Sequence, residues 1–438
     1  MMRFALFTPN FFFAFTLLLA SQTGNHFGTA AELSKNDWAR FRGPNGNGNS
    51  ATKNLPSSWS ADENIVWKTA LPGLGASSPI TVADRIYLAC YSGYGEKQDD
   101  PGSKADLVRQ LVCLDRKSGD IIWKTSLESL RDPQDYRGFV ALHGYVSSSP
   151  VSDGERLFTM FGNSGVYAFD MEGKQLWHAE IGERTHGFGT AASPVLYADT
   201  VIVNASVESG HLIAFDKKTG NEVWRAPNIP DAWNTPVLVD NGNGGHELVI
   251  DTADKLRAFD PKTGEFLWHI AGSQPPRYIC PSPVVHEGVI YAVHGLHGPT
   301  SAVRPGGRGD VTDSHREWVQ SDVKSNVPSP VYYDGHLYAA KAEGGVAMCI
   351  DIKTGDTVYQ ERLRPSPGTI YGSATAADGK IYFVSRQNGV FVVSAGEDFK
   401  QIAHNTIETD SSIFNASIVV SQGQLLLRSD AFLYCIGN

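Results

Sequence analysis

The chain has 438 residues, a formal net charge of −10 and 41% apolar residues, and it is rich in glycine at 44. An acidic chain without a basic stripe offers little to a phosphate backbone, so nucleic acid is not an expected partner. The length would suit two or three ordinary domains, but a closed repeat architecture can absorb it in one.

The N-terminus has the pattern of an export signal. Arg3 precedes an apolar run, and small residues follow up to Ala31. We predict a signal peptide over residues 1–31, which sends the chain to the periplasm or the cell exterior. An uncleaved anchor is the alternative, but Pro9 and Asn10 leave the run shorter than the about 17–25 residues that span a bilayer. No cysteine ends the run, so a lipid anchor is not expected.

Residues 32–63 are predicted to form an extension that packs on the domain behind it. This extension contains DWARFRGPNGNGNS, in which Trp38 and Phe41 can pin the segment to one face of that domain. The same pattern leaves Arg40 and Arg42 free to contact a partner or a ligand.

Four blocks of nearly identical sequence show an internal repeat. They are CLDRKSGDIIW from Cys113, AFDKKTGNEVW from Ala214, AFDPKTGEFLW from Ala258 and CIDIKTGDTVY from Cys349. Strand-like units that recur roughly every 40 to 50 residues are typical of a β-propeller. A second landmark, a small residue before proline, opens six units, and two weaker copies bring the total to eight. The eight copies begin at Ser78, Ser149, Ser193, Thr235, Ser282, Ser329, Ser373 and Ala416. We therefore predict an all-β, eight-bladed propeller over residues 64–438.

Each unit is predicted to contain four strands, A to D, with an Asp-x-x-Thr-Gly turn between C and D. The aspartate can accept hydrogen bonds from nearby backbone N–H groups, and the glycine suits a left-handed conformation. The repeated aspartates are therefore interpreted as turn formers rather than catalytic groups. Aromatic residues at strand D are predicted to stack between adjacent blades. They are Trp67, Trp123, Trp177, Trp224, Trp268, Trp318 and Tyr359.

The two ends of the repeat predict how the propeller closes. The last unit, residues 414–438, has room for only three strands, whereas residues 64–69 (NIVWKT) form a strand D without a unit. We predict that this N-terminal strand completes the C-terminal blade, because an unpaired edge would invite aggregation.

Cysteine usage does not predict a disulfide framework. The five cysteines are odd in number and scattered. Cys113, Cys349 and Cys435 occupy equivalent places in different units, so they are interpreted as buried apolar side chains too far apart to pair.

In a propeller, the D-to-A and B-to-C connections emerge on one face, which we call the mouth face. Two long polar connections of the first unit, residues 92–110 and 126–145, belong to this face. A ring-bearing residue precedes most strands A there: Tyr145, Phe188, Trp233, Tyr278, Tyr371 and Phe414. His143, His186 and Arg277 lie beside these rings, and His294 and His297 end a strand B on the same face. The rings suit a flat or ring-shaped ligand. That they merely wedge the blades apart stays open, and the HGLH spacing predicts no metal site.

The fifth unit departs most from the repeat. Where other units have the Asp turn, it has AVRPGGRGDVTDSHREW, with Arg304 in place of the aspartate. Arg304, Arg308 and Asp310 are predicted to lie on the face opposite the mouth. They form either a self-contained hairpin or a docking contact.

No GxSxG elbow, HExxH helix, phosphate loop or CxxC pair occurs in the sequence, so hydrolase, zinc protease and nucleotide hydrolase activities have no motif support. The AFDKKTGNEVW and AFDPKTGEFLW blocks closely resemble the tryptophan-docking motif of pyrroloquinoline quinone (PQQ) repeat propellers. DWARFRGPNGNG and AVRPGGRGDVT also resemble exported PQQ-like propellers of planctomycete-type bacteria.

This resemblance implies two classes of function. One branch of the superfamily contains PQQ- and calcium-dependent dehydrogenases of alcohols or sugars, which use an aspartate base and a disulfide between adjacent cysteines. This sequence has no adjacent cysteines and no aspartate that matches the base. The other branch resembles the lipoprotein propeller of outer-membrane protein assembly. We predict a monomeric, non-catalytic binding or scaffold protein that uses one face for an envelope protein or a small ligand. A PQQ-dependent dehydrogenase with calcium is the alternative.

Overall fold

The computed structural model describes residues 1–2, 33–34, 36–252, 254–272, 278–296 and 298–438. The predicted signal peptide lies outside this part of the chain except for its first two residues, and so do Arg277 and His297. None of the helices described is long and apolar enough to cross a membrane.

Eight β-sheets arranged around one axis confirm the predicted eight-bladed propeller. Two strands, β1 (Asn49–Ser50) and β2 (Ile65–Ala70), precede the first blade. Blade one contains β3 (Ile80–Val82), β4 (Arg85–Ser92), β5 (Val108–Asp115) and β6 (Ile121–Glu128), and blade two contains β7 (Val151–Ser152), β8 (Arg156–Met160), β9 (Val166–Asp170) and β10 (Gln175–Ala179). Blade three contains β11 (Val195–Tyr197), β12 (Thr200–Ala205), β13 (His211–Asp216) and β14 (Glu222–Ala226). Blade four contains β15 (Val237–Asp240), β16 (His246–Asp251), β17 (Lys255–Phe259) and β18 (Phe266–Ala271).

Blade five carries the fifth-unit insertion between its last two strands. Its elements are β19 (Val284–His286), β20 (Val289–Val293), β21 (Thr300–Val303), the inserted β22 (Gly309–Asp310) and β23 (Arg316–Gln320). Blade six contains β24 (Val331–Tyr333), β25 (His336–Ala340), β26 (Val346–Asp351) and β27 (Thr357–Arg362). Blade seven contains β28 (Thr375–Ala377), β29 (Lys380–Val384), β30 (Val390–Ser394) and β31 (Gln401–Asn405). Blade eight contains β32 (Val419–Ser421), β33 (Gln424–Arg428) and β34 (Phe432–Ile436), and β2 is its fourth strand. Short helices are α1 (Val140–His143), α2 (Ser206–Ser209) and α3 (Thr312–His315), with 3₁₀ turns at Lys104–Asp106 and Gly162–Ser164.

The closure of the ring follows the prediction. Strand β2 pairs antiparallel with β34, from Ile65 opposite Ile436 to Ala70 opposite Phe432. The first strand of the repeat therefore becomes the outer strand of the last blade and gives it the fourth strand that its own C-terminal unit lacks.

The tryptophan of one blade packs on the turn glycine of the next blade. A Cβ atom on Gly264 would lie 2.5 Å from the ring of Trp224, and Gly220 stands in the same relation to Trp177 at 2.6 Å. Trp224 Nε1 also donates to the Pro261 carbonyl of that turn at 3.1 Å. Glycine is thus needed at position 264 for two reasons: its φ is about +72°, and no side chain fits beneath the Trp224 ring.

The aspartates of these turns act as backbone acceptors. Asp115 Oδ1 accepts from the N–H groups of Ser118 and Lys117, each at 2.9 Å. These hydrogen bonds lower the pKa of Asp115. Their geometry accounts for the repeated carboxylates as turn formers.

The insertion of blade five docks on the neighbouring blade. Strand β22 pairs in parallel with β18, with Asp310 opposite His269, and so adds a fifth strand to blade four. Arg304 pairs with Glu317 at 3.0 Å, whereas the exposed Arg308 bonds only to the adjacent Gly307 carbonyl among the described residues. Within the described chain, this hairpin covers the outer edge of blade four.

Candidate functional site

The N-terminal extension enters the central channel and closes one end of it. We call residues 37–50 the plug. The Asp37 carboxylate accepts the N–H of Ala83 at 2.9 Å, at the A-to-B turn of blade one, which lies on the face opposite the mouth. Trp38 is 2% exposed. Its backbone N–H donates to the Thr81 hydroxyl, and its carbonyl accepts the Thr81 N–H, both at 3.0 Å. The channel is therefore blocked at its turn-face end.

The far half of the plug is held by the inner strands of blades five to seven. Asn47 both donates to the Val285 carbonyl at 2.6 Å and accepts the Val285 N–H at 3.0 Å. Asn49 donates to the Tyr332 carbonyl, and β1 pairs in parallel with β28. Arg42 is only 3% exposed, so it lies inside the channel and not on the outer surface. Arg42 is buried because the plug runs through the central channel, where its side chain donates to the carbonyls of Asn47 and Pro330.

A closed ring of hydrogen bonds lies above the plug. The backbone N–H of each small residue that opens strand A donates to the hydroxyl of the equivalent residue in the next blade, over 2.9–3.2 Å. The ring runs through Ser78, Ser149, Ser193, Thr235, Ser282, Ser329, Ser373 and Ser417 and returns to Ser78. The eighth member is Ser417 rather than the preceding alanine of the weak copy. The repeated Ser-Pro element thus joins adjacent blades at the axis.

Six hydroxyls of this ring line a cavity on the mouth side: Ser78, Thr235, Ser282, Ser329, Ser373 and Ser417. Each accepts a backbone hydrogen bond, and none donates to a described residue. A hydroxyl carries one donor proton beside its acceptor lone pairs. The cavity floor therefore presents a ring of available donors.

The cavity is the funnel of the propeller, with a volume of about 390 Å³. Phe41 from the plug lines it, and its wall carries aromatic side chains from several blades. The aromatic lining consists of Phe41, Phe139, Phe188, Trp233, Tyr278 and Tyr371. The apolar wall above a hydroxyl floor has the features of a small-molecule pocket.

The rings on one side of the funnel contact one another edge to face. Phe188 lies 4.9 Å from Tyr278, 5.2 Å from Trp233 and 4.6 Å from Phe139, between ring centroids. Trp233 is fixed further by a 2.7 Å hydrogen bond from its indole N–H to the Gly189 carbonyl. Such T-shaped packing favours one arrangement of the wall.

The blade-one connection crosses the mouth to blades seven and eight. The Leu142 carbonyl at the end of α1 accepts from Arg386 at 2.7 Å and from Asn415 at 2.8 Å. His143 bonds to Ser147 at 2.7 Å and to the Phe188 carbonyl at 2.8 Å, and burial lowers its pKa. The connection thus forms a partial roof over the funnel.

Two of the six predicted aromatic residues do not line the funnel. Tyr145 packs on Tyr91 and Tyr94, with centroids 5.4 and 5.5 Å apart, beneath the blade-one connections. Phe414 is 7% exposed and shares a separate cavity with Trp59 of the extension. Neither ring therefore contributes to the funnel wall.

The predicted histidines have different positions. His143 lines the funnel, and His186 lies behind the wall, 4.9 Å from Trp233 and 5.0 Å from Phe188. His294 is 1% exposed and does not reach the funnel. No cluster of three or more metal-binding side chains occurs among the residues described.

His294 belongs to a buried row of three polar groups. Its Nδ1 lies 2.9 Å from the carboxylate of Asp251, and its Nε2 lies 2.7 Å from the Ser301 hydroxyl. The order resembles a serine hydrolase triad, but all three side chains are at most 1% exposed. A nucleophile without access to a substrate cannot act on one, so this row braces blade four against blade five.

A buried carboxylate lies outside the predicted set. Glu208 in α2 is 1% exposed, and its Oε1 accepts the Thr190 hydroxyl at 2.5 Å. Burial raises the pKa of Glu208 to about 7. Oε2 has no hydrogen-bond partner among the described residues, so the side chain is best accommodated when protonated.

The funnel residues do not fit PQQ with calcium. PQQ is a tricarboxylate, and calcium prefers several carboxylate and carbonyl oxygens. Among the described lining residues, Glu343 is the one carboxylate, and no lysine or arginine is present. Cys280 lines the cavity as a free thiol, so the described funnel has no vicinal disulfide.

The sequence did not single out the floor of this site. The small residue before proline recurs in six units, with two weaker copies, but this pattern by itself indicates only the start of a strand. Phe41 and Phe139 lie outside the repeat, so no periodicity marks them. Their position depends on where the plug and the blade-one connection cross the axis.

Known proteins resemble the chain over most of its length. The tetrathionate hydrolase of Acidithiobacillus ferrooxidans is 20% identical over 377 residues, which is 78% of this chain and 68% of that protein. The outer membrane protein assembly factor BamB of Burkholderia pseudomallei is 24% identical over 355 residues, 78% of this chain and 82% of that protein.

Two solved structures share the fold. BamB from Moraxella catarrhalis superposes with a TM-score of 0.58 and 14% identity, covering 85% of this chain and 97% of that one. The quinohemoprotein alcohol dehydrogenase of Comamonas testosteroni superposes with a TM-score of 0.62 and 12% identity, and the match covers 93% of this chain and 82% of that one. The family model described as outer membrane protein assembly factor BamB matches residues 108–361 and 208–436, which together exceed half of the chain. The chain therefore belongs to the PQQ-like repeat propeller family of which BamB is a member.

Proposed function

We propose that this chain is an exported, non-catalytic binding protein whose funnel holds an uncharged, ring-bearing small molecule. The observation that carries the proposal is the combination of an aromatic wall with a floor of available hydroxyl donors. Export is supported by the N-terminal sequence pattern alone.

The size and polarity of the funnel define the class of ligand. A volume of about 390 Å³ lies within the range of small-molecule sites. Edge-to-face rings such as Phe188 and Tyr278 present flat apolar surface to a guest. A ligand with one or two fused rings fits this wall.

The floor adds a polar requirement. These six hydroxyls each accept one backbone hydrogen bond, and the proton of each stays available to donate, so they suit carbonyl or ether oxygens at one end of the ligand. An anionic ligand is disfavoured, because the described lining has no lysine or arginine and includes the carboxylate of Glu343.

The test uses three probes of similar size. Coumarin has two flat rings and lactone oxygens, naphthalene has the rings without acceptors, and coumarin-3-carboxylate adds a negative charge. We expect coumarin to bind about 3 to 10 times more tightly than naphthalene, the value of one neutral hydrogen bond. The carboxylate should bind more weakly than coumarin. Titration calorimetry measures all three.

Variants locate the binding. Trp233→Ala and Tyr278→Ala should each weaken coumarin binding, because both rings line the funnel. Tyr145→Phe is the matched control, since Tyr145 lies in the tyrosine cluster outside the funnel. Equal affinities in all four proteins would refute the proposal.

A PQQ-dependent dehydrogenase is a competing function, because an alcohol dehydrogenase shares the fold. The described lining residues disfavour it, for the reasons given above. Purified protein should show no bound quinone spectrum after addition of PQQ and Ca²⁺, and no dye reduction with alcohols or sugars. A stoichiometric quinone spectrum would replace the present proposal with this one.

A protein partner at the mouth face is the second candidate. Phe139 and Leu130 of the blade-one connection are 51% and 57% exposed, so this connection offers apolar side chains to a partner. The relative named as an outer membrane protein assembly factor gives this candidate its class of partner. Co-precipitation from envelope extract should weaken in Phe139→Ser with Leu130→Ser but not in Tyr278→Ala.

A further inference from the structure

The plug carries two arginines that lack a compensating charge. Arg42 is 3% exposed, and its Nη2 donates to the carbonyls of Asn47 and Pro330. Its Nε and Nη1 have no hydrogen-bond partner among the described residues. Burial alone lowers the pKa of Arg42 to about 9. A buried, half-satisfied guanidinium is costly unless something else completes it.

Arg40 lies beside the same space. Its Nε donates to the Gly43 carbonyl at 3.2 Å, and burial lowers its pKa. Neither arginine forms an ion pair within the described part of the chain. Two positive side chains of the plug therefore line one small cavity, and neither is paired with a described carboxylate.

A small cavity of about 20 Å³ lies between the plug and the inner strands of blades three to five. Both arginines line it, and the hydroxyl-bearing Thr235 and Ser282 line it as well. The remaining lining includes apolar residues such as Val195 and Leu238. The space suits one particle of about the size of a water molecule.

We propose that this cavity binds one monatomic anion of the halide class, with chloride as the occupant. The two guanidinium groups supply the charge, and Arg42 Nε and Nη1 supply donors that nothing in the described chain uses. A phosphate or a carboxylate is too large for the space. Because the anion would bridge the plug to blades three to five, its binding stabilises the closed end of the channel.

Crystals grown with sodium bromide in place of chloride test the site directly. We expect an anomalous difference peak between Arg40 and Arg42, and no peak there in Arg42→Gln. A water molecule only, seen as an ordinary density peak without anomalous signal, would overturn the proposal.

Thermal unfolding gives a second test that needs no crystal. At equal ionic strength, the midpoint of wild type should be about 1–3 °C higher in sodium chloride than in sodium gluconate. Arg42→Gln and Arg40→Gln should lose this difference, whereas Arg308→Gln should keep it, since Arg308 is exposed on the blade-five insertion. If Arg42→Gln does not fold, Arg40→Gln carries the comparison. Equal differences in all variants would assign the effect to general salt action and contradict the site.

Discussion

The rim and the axis of this propeller are built from the same repeat but used differently. At the rim, Trp177 on Gly220 and Trp224 on Gly264 repeat one contact with nearly the same geometry. At the axis, the hydroxyl ring is uniform, but the wall above it changes from blade to blade. The uniform contacts build the scaffold and the floor of the site, whereas the aromatic wall arises where the copies diverge.

The largest expected effect concerns the rim. Trp224→Ala removes a ring that is 7% exposed and packs between two blades, so the free energy of unfolding should fall by about 3–5 kcal/mol. Urea denaturation measures the change. Val223→Ala, at a neighbouring side chain that is 50% exposed, is the control and should stay within about 0.5 kcal/mol. Equal losses would mean that the tryptophan does not dock the blades.

The second prediction separates conformation from contact at the turn glycines. Gly264→Ala places a Cβ against the Trp224 ring and keeps a positive φ, so we expect a loss of about 2–5 kcal/mol in unfolding free energy. Gly335→Ala also has a positive φ, at +80°, but its Cβ meets nothing within 4 Å. It should lose only about 1–2 kcal/mol. If the two losses agree, the ring contact contributes nothing.

The third prediction is a pH dependence near the mouth face. The pKa of Glu208 is about 7 in the folded protein, above its ordinary value, so the folded state holds a proton that the unfolded state has released. The stability that this proton provides is complete below about pH 4.5 and is lost as the pH rises through 7. The free energy of unfolding should therefore fall by about 1–3 kcal/mol between pH 5 and 7.5.

Glu208→Gln isolates this contribution from the other carboxylates. Asp251 and Asp430 also have raised pKa values, so the quantity to follow is the difference between wild type and variant at each pH. That difference should change across the same pH window. A difference that is constant with pH would contradict the assignment to Glu208.

The repeat made most of the fold predictable. Blade number and the pairing of β2 with β34 follow from counting copies and noticing one orphan strand. The site was predictable only in part. Phe188, Trp233, Tyr278 and Tyr371 stood at the right place in the repeat and line the funnel.

The remainder of the site depends on long-range contacts that local patterns do not encode. Residues 37–50 contain no apolar periodicity, yet five blades hold them in the channel. The side chain of Arg386 reaches Leu142 across 244 residues of sequence to secure the roof of the funnel. Such contacts form only when the closed ring brings distant segments of the chain together, so a local sequence pattern does not predict them.

The most direct test of the division between rim and axis compares two variants by coumarin titration under conditions where both are folded. Tyr278→Ala should weaken coumarin binding by about 5- to 20-fold, because it removes one ring from the funnel wall. Trp224→Ala should bind coumarin within about twofold of wild type despite its lower stability. If Trp224→Ala loses binding and Tyr278→Ala keeps it, the funnel is not the binding site.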